Sequence, residues 1–370
     1  MSHPADHHIA WSRIEPARHR HNLAFSEVEP PDLEALGLPS RATLPRNADG
    51  LQATLERAIG ACWSAPGGRV ALTAGGSEAN AVVFGALLER GDEVLVESPG
   101  YEPHREVPRL FDVAVRRFER PLEGGSLAAA IEAALGPATR MVVITHPHNP
   151  SGVALNGEDV RALDALAARR GLWILCDEIF RDALDEPRGT VASSSPRWVV
   201  TSSLTKVYGL GGLRLGWIAG SDEVLERCVR VQNALSASPS IPSIALALEL
   251  MPRIDELRAR SQRILAENKA RWSTFLGEGV PFTTPAPPLG TTAWALFPSP
   301  GQGDAFAESA SRTSDLALTP GRFFAEPRGV RIGLGNDPAR FAAALDALRH
   351  AIARFGSGER QTSPQETTTR

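Results

Sequence analysis

Short apolar runs alternate with stretches of helical period from about residue 50 to residue 240. The runs Val70–Thr73, Glu93–Glu97, Val113–Phe118, Met141–Thr145, Leu172–Cys176 and Trp198–Thr201 read as strands. Residues 77–90, 101–111, 126–135 and 157–170 read as the helices around them. Ahead of the first strand, Leu51, Leu55, Ala58, Ile59 and Cys62 fall on one helical face. Strands that are apolar along their whole length are buried on both sides, so the alternation predicts an α/β fold with a largely parallel sheet covered by helices on both faces. A further apolar strand, Arg214–Ala219, follows a glycine-rich loop.

Beyond Pro242 the pattern changes. Residues 243–276 have helical period, with Pro252 set to kink or restart the helix. Strands are expected at Val280–Thr284, Thr291–Phe297, 315–319 and 329–333, and helices near 304–313 and at 338–354. This yields an N-terminal arm (1–48) joining a smaller domain, a large domain (49–241), interdomain helices (242–276), a small α+β domain (277–355) and a polar tail (356–370) expected to be disordered. No internal repeat interrupts this plan.

Bulk properties narrow the function. A chain of 370 residues normally forms two domains, and 42% hydrophobic with 22% charged residues is ordinary for a globular protein. A net charge of -4 argues against nucleic acid as the main partner. No stretch has the length of a membrane helix and the N-terminus lacks a secretory core, so a cytoplasmic protein is expected. Cys62, Cys176 and Cys228 have no close spacing and read as reduced thiols. The histidines near the start, His3, His7, His8, His19 and His21, read as adventitious metal binders on a mobile segment, and no metal site is expected.

Candidate chemistry gathers where strands end, the usual ligand position in an open α/β sheet. Lys206 lies among Leu204, Val207, Leu210 and Leu213. Burial disfavours its charged form, which suits an amine that forms an imine with a carbonyl. Ser203 and Arg214 flank it and suit a phosphate. After the first strand, Gly75 and Gly76 open a turn and Ser77 heads a helix, an anion site or an ordinary N-cap. Tyr101 follows the second strand and either stacks on a flat ring or caps the core. Asn149, held between two prolines, offers an amide. Asp177 after W-I-L-C needs a partner such as a protonated ring nitrogen. Arg331, alone on a short apolar strand, suits bidentate recognition of a carboxylate.

Together with the motifs H-N-P-S-G, D-E-I-F, S-L-T-K, G-L-R-x-G-W, T-P-G-R-F-F and V-R-I, this set resembles the class I/II aminotransferase family of fold type I, from about Leu23 to Phe355. The resemblance implies pyridoxal 5′-phosphate, a homodimer with its site at the subunit interface, and an amino acid and a 2-oxo acid as small-molecule substrates. It implies that Lys206 carries the imine linkage and shuttles the α-proton, and that Asp177 keeps the ring nitrogen protonated. By the same resemblance Tyr101 stacks on the ring, Asn149 bonds its oxygen, and Gly76, Ser77, Ser203 and Arg214 bind the phosphate. Arg331, with Asn149 beside it, receives the substrate carboxylate.

Two departures stand out. The family commonly has a tyrosine three residues after the aspartate, where this chain has Phe180. It also commonly has a phosphate-binding tyrosine from the partner subunit, yet residues 44–50 contain none, and Arg46 is the available substitute. Candidates for the side-chain pocket are Trp11, Arg13, Arg105 and residues 235–240. The same cradle also serves lyases, decarboxylases and racemases, and a non-catalytic cofactor-binding regulator is a further alternative.

Overall fold

The computed structural model describes residues 7–34, 37, 50–236, 239–285 and 287–356. Arg46, residues 237 and 238, and the polar tail beyond Gly356 therefore lie outside the described residues, as does the side chain of Arg13.

The chain opens with α1 (His8–Ile14) and β1 (His21–Asn22), neither of which the apolar pattern signals. The alternating region then runs α2 (Leu51–Cys62), β2 (Ala71–Thr73), α3 (Gly76–Leu87), β3 (Glu93–Ser98), α4 (Glu102–Glu106), β4 (Ala114–Glu119), α5 (Leu127–Ala134) and β5 (Thr139–Thr145). It continues through α6 (Gly157–Arg170), β6 (Trp173–Asp177), β7 (Trp198–Ser203), β8 (Gly216–Ala219) and α7 (Asp222–Leu235). Local signals set many of these bounds. Asn156 caps α6 in a reciprocal box with Asp159, and Gly171 ends it in the left-handed region. The expected helix 101–111 is shorter because Pro108 breaks it, leaving α4 and a 3-10 turn, Pro108–Phe111.

The strands form one seven-stranded sheet in the order β2-β8-β7-β6-β5-β3-β4. All are parallel except β8, which runs against both β2 and β7. The connection 204–215 holds only a 3-10 turn, Gly211–Leu213, and no α-helix to carry the chain across the sheet, so β8 returns antiparallel. Alternate residues enter opposite cores. Val94, Val96, Met141, Val143 and Leu175 pack with α3 and α7, while Leu95, Val142, Ile144, Ile174 and Cys176 pack with α2, α5 and α6. Each fully buried aliphatic side chain contributes about 1.5–3 kcal/mol of transfer free energy, so both layers hold the sheet firmly.

The remainder is α8 (Ile241–Leu250), α9 (Ile254–Leu276), β9 (Thr292–Leu296), α10 (Gln302–Ser314), β10 (Leu316–Ala317), β11 (Thr319–Pro320), β12 (Gly329–Gly333) and α11 (Pro338–Gly356). Pro252 does restart the helix, through the turn Met251–Arg253. The expected strand Val280–Thr284 reduces to a single bridge, Thr283 to Leu296, because Pro281 cannot donate to a ladder. The expected strand 315–319 divides: β10 pairs with β1, and β11 joins the antiparallel sheet β11-β12-β9. The arm lies flat on this region. Gly333 donates to the Leu23 carbonyl at 2.6 Å, and a Cβ at Gly333 would sit 1.7 Å from the Phe25 oxygen. Only glycine permits that approach.

Candidate active site

A cavity of about 860 Å³ opens at the carboxyl ends of β5 and β6, where Thr145 and Asp177 line it. Its other walls come from the N-terminus of α3, the loop after β7, β12 and the N-terminal arm.

Asp177 forms the floor and is 4% exposed. Its Oδ2 accepts from Asn80 Nδ2 at 3.1 Å and from His104 Nε2 at 3.3 Å, and its Oδ1 accepts from the Ile179 N–H at 3.1 Å. Asn80 is itself oriented, its Oδ1 accepting from the Thr201 hydroxyl at 2.7 Å. These donors fix the orientation of the carboxylate at the cavity floor. Sequence reading missed Asn80 and His104. For Asn80 the signal was a polar amide on the otherwise apolar helix α3, whereas His104 lies in the polar helix α4, where it does not stand out.

Lys206 leaves the end of β7, and 28% of its side chain is exposed. Burial lowers its pKa, with Arg331 and Arg214 acting in the same direction and Glu27 and Asp177 opposing them. Its Nζ stands 3.9 Å from Glu27 Oε2, and its carbonyl accepts from the Val28 N–H at 2.8 Å. The arm is thus clamped to the lysine loop.

Gly75, Gly76 and Arg214 make the anion cradle. Gly75 has φ +93°, and a Cβ there would lie 2.8 Å from Arg214 Nη2. The guanidinium therefore sits against the N-terminus of α3, whose free amides favour an anion. Gly76 and Ser77 line the cavity here. Ser203 is buried behind it, its hydroxyl accepting from the Thr205 N–H at 3.1 Å, while Thr205 itself lines the cavity.

Arg331, 3% exposed, projects from β12. Nη1 donates to Asn149 Oδ1 at 3.2 Å, and Nη2 to the Ala24 carbonyl at 2.8 Å and the Thr319 hydroxyl at 3.4 Å. Its Nε is buried with no hydrogen-bond partner. Among the described residues no carboxylate pairs with it, and burial lowers its pKa to about 10. A buried cation without a counter-ion is costly, so an anionic ligand is its natural complement.

Tyr101 caps α4, its ring edge-on to His104 at 5.3 Å and to His8 at 5.9 Å. Burial pushes its phenol up to about 12, against a hydrogen bond with Ser77. Phe180 lines the cavity and presents a bare apolar edge. Of the pocket candidates, Arg105 spends its donors on the Gly100 and Phe323 carbonyls, at 2.7 and 3.0 Å. Trp11 packs on Phe323 at 5.4 Å. Neither lines the cavity, whereas His8, Ser12, Phe25 and Glu27 do. His8 therefore belongs to the site wall, contrary to its reading as part of a mobile metal-binding segment.

The donor set fits pyridoxal 5′-phosphate: a carboxylate on the floor, a depressed amine above it, and a glycine-walled anion cradle at one end. Among the described residues, no helix is long and apolar enough to cross a membrane.

Comparison with known proteins agrees. The model of aminotransferase class I and II matches residues 49–348. Capreomycidine synthase of Streptomyces vinaceus is 29% identical over 356 residues, 92% of this chain and 90% of that one. A PLP-dependent aminotransferase from Streptococcus suis shares the fold, with a TM-score of 0.84 at 20% identity, covering 93% of this chain and 96% of that one. The PLP-dependent cyclase OrfR shares it with a TM-score of 0.83 at 24% identity, covering 96% and 98%. The chain belongs to the class I and II aminotransferases, fold type I enzymes that work with pyridoxal 5′-phosphate.

Proposed function

We propose that this aminotransferase moves the amino group of an L-amino acid to a 2-oxo acid, with Lys206 as the residue that handles the α-proton. The observation that carries this reading is the depressed amine of Lys206 in one cavity with Asp177 and Arg331. Bound at this site, the cofactor supplies an electron sink for the bond broken at the substrate Cα. Asp177, oriented by Asn80 and His104, holds a proton on the ring nitrogen. Gly76, Ser77, Arg214 and Ser203 hold the phosphate, the last through its bond to Thr205. Tyr101 covers the ring face and Asn149 bonds the ring oxygen. Arg331 fixes the substrate carboxylate and so aligns the Cα–H bond with Lys206. Lys206, whose burial disfavours its charged form, accepts that proton and returns it to the next atom.

The same reading divides the chain into an arm, a large domain to residue 241 and a small domain from 277, in a cytoplasmic homodimer. Free Cys62, Cys176 and Cys228 suit a reducing compartment.

A second reading is ring closure after the same proton removal, suggested by the name of one structural neighbour, a PLP-dependent cyclase.

Absorbance spectroscopy separates these. The loaded protein is expected to show a visible band at roughly 410–430 nm. Under transamination the band is lost with one amino acid and returns with a 2-oxo acid. A band that the amino acid never bleaches for good, returning with no 2-oxo acid added, favours ring closure. A protein that takes up no cofactor, or a Lys206→Ala variant with the same band, overturns the role of Lys206.

A further inference from the structure

The cavity holds one charged side chain that the proposed reaction does not use. Among the described residues its cations are Lys206, Arg214 and Arg331, and its carboxylates are Asp177 and Glu27. On the reading above, Arg214 meets the phosphate, Arg331 the substrate carboxylate, Asp177 the ring nitrogen, and Lys206 the reacting centre. Glu27 is left over.

Its carboxylate is 37% exposed, and among the described residues its one ion-pair contact is Lys206, at 3.9 Å. The backbone that carries it is fixed on both sides. The Ser26 carbonyl accepts from the Thr291 hydroxyl at 2.7 Å, the Val28 N–H donates to the Lys206 carbonyl at 2.8 Å, and the Glu29 N–H donates to the Gly335 carbonyl at 2.7 Å. The charge is therefore held at the cavity wall by the fold itself.

His8 supplies an independent observation. Its ring is 4% exposed, lines the same cavity, and has no hydrogen-bond partner on either nitrogen. Burial first, then Arg331, Lys206 and Arg105, hold it neutral. Among the described residues the arm thus presents an anion and a neutral imidazole to the cavity, and no cation. An acidic side chain would meet repulsion here, and a neutral one would leave Glu27 without a counter-ion.

We propose that the substrate is an amino acid whose side chain ends in a cation, an amine or a guanidinium, with Glu27 as its counter-ion and His8 as a neutral hydrogen-bonding wall. This rests on the reading of the reaction given above. It is tested without turnover by calorimetry on the cofactor-loaded enzyme. One ligand is arginine lacking its α-amino group, which cannot react, and the other is hexanoate, which keeps the carboxylate but ends in a methyl group instead of a cation. The guanidinium ligand is expected to bind about 10–100-fold more tightly, the worth of a charge-assisted pair. Glu27→Gln is expected to erase that difference and leave hexanoate binding unchanged, which also shows that the variant folds. Equal binding of the two ligands by the wild-type enzyme overturns the proposal. So does a variant that weakens both ligands in proportion, since Glu27 then serves only Lys206. A protein that shows no visible band on loading fails earlier, and it is the reading of Lys206 that falls.

Discussion

Arg331 and Asn149, 182 positions apart in sequence, are joined by a hydrogen bond of 3.2 Å inside the cavity. The guanidinium also binds the Ala24 carbonyl, so three separate parts of the chain meet on one side chain. Lysine keeps the charge but lacks the planar fork. Arg331→Lys is expected to raise the amino acid concentration for half-saturation about 30–100-fold while cofactor affinity stays the same. Spectral titration of the wild type and the variant with one amino acid measures it, and an unchanged half-saturation would remove Arg331 from substrate binding.

Gly75 is strained for any other residue, with φ +93° and Arg214 Nη2 2.8 Å from its would-be Cβ. Gly75→Ala is expected to cost about 1–3 kcal/mol of stability and to displace Arg214 from the cradle. Cofactor affinity should fall at least about tenfold, a 1.4 kcal/mol loss. A fluorescence titration with pyridoxal phosphate that shows no weakening would separate Arg214 from the phosphate.

Phe180 lines the cavity without a donor. Phe180→Tyr adds a phenol where it can stabilise the ionised ring oxygen of the cofactor. The pH midpoint of the visible band is expected to fall. A midpoint that stays put in a spectrophotometric pH series would mean that another group already serves that oxygen.

Glu178 is 4% exposed, and burial raises its pKa from 4.5 to about 7, with Arg181 opposing the shift. For an acid with a raised folded-state pKa, the native protein holds a proton that the unfolded chain releases. Stability from this group is therefore complete below pH 4.5 and is lost as pH rises to about 7. Above that, the loss is on the order of 3 kcal/mol. Glu178→Gln is expected to match the wild type near pH 4.5 and to exceed it at pH 8, by urea denaturation. Equal stability at pH 8 would show that the carboxylate ionises at little cost.

The layered fold was legible because Val94 to Val96 and Met141 to Ile144 must be buried on both faces, and burial of that kind writes itself into composition. Lys206, Asp177, Arg214 and Arg331 were legible because each is a polar residue out of place in an apolar or glycine-rich run, and Asn149 because two prolines hold it. Their convergence on one cavity follows from the strand order, which periodicity does not encode. The direction of β8 was not legible either, since an apolar run has the same pattern read both ways. Least legible was the arm. Histidines in a polar, proline-broken segment look solvated, and His8 becomes a wall residue only because Tyr101, Phe323 and Phe324 surround it.

The pairing of β1 with β10 bears on the order in which the molecule becomes competent. His21 aligns with Leu316, and the Leu23 carbonyl waits for Gly333. During synthesis the sheet through β8 has all its strands long before either partner of the arm leaves the ribosome. Glu27 and His8, though made before every strand of the large sheet, can take their stations only after β12 has emerged. A nascent chain can thus complete its sheet early, but its pocket has no outer wall until the distal end of the chain arrives to hold it.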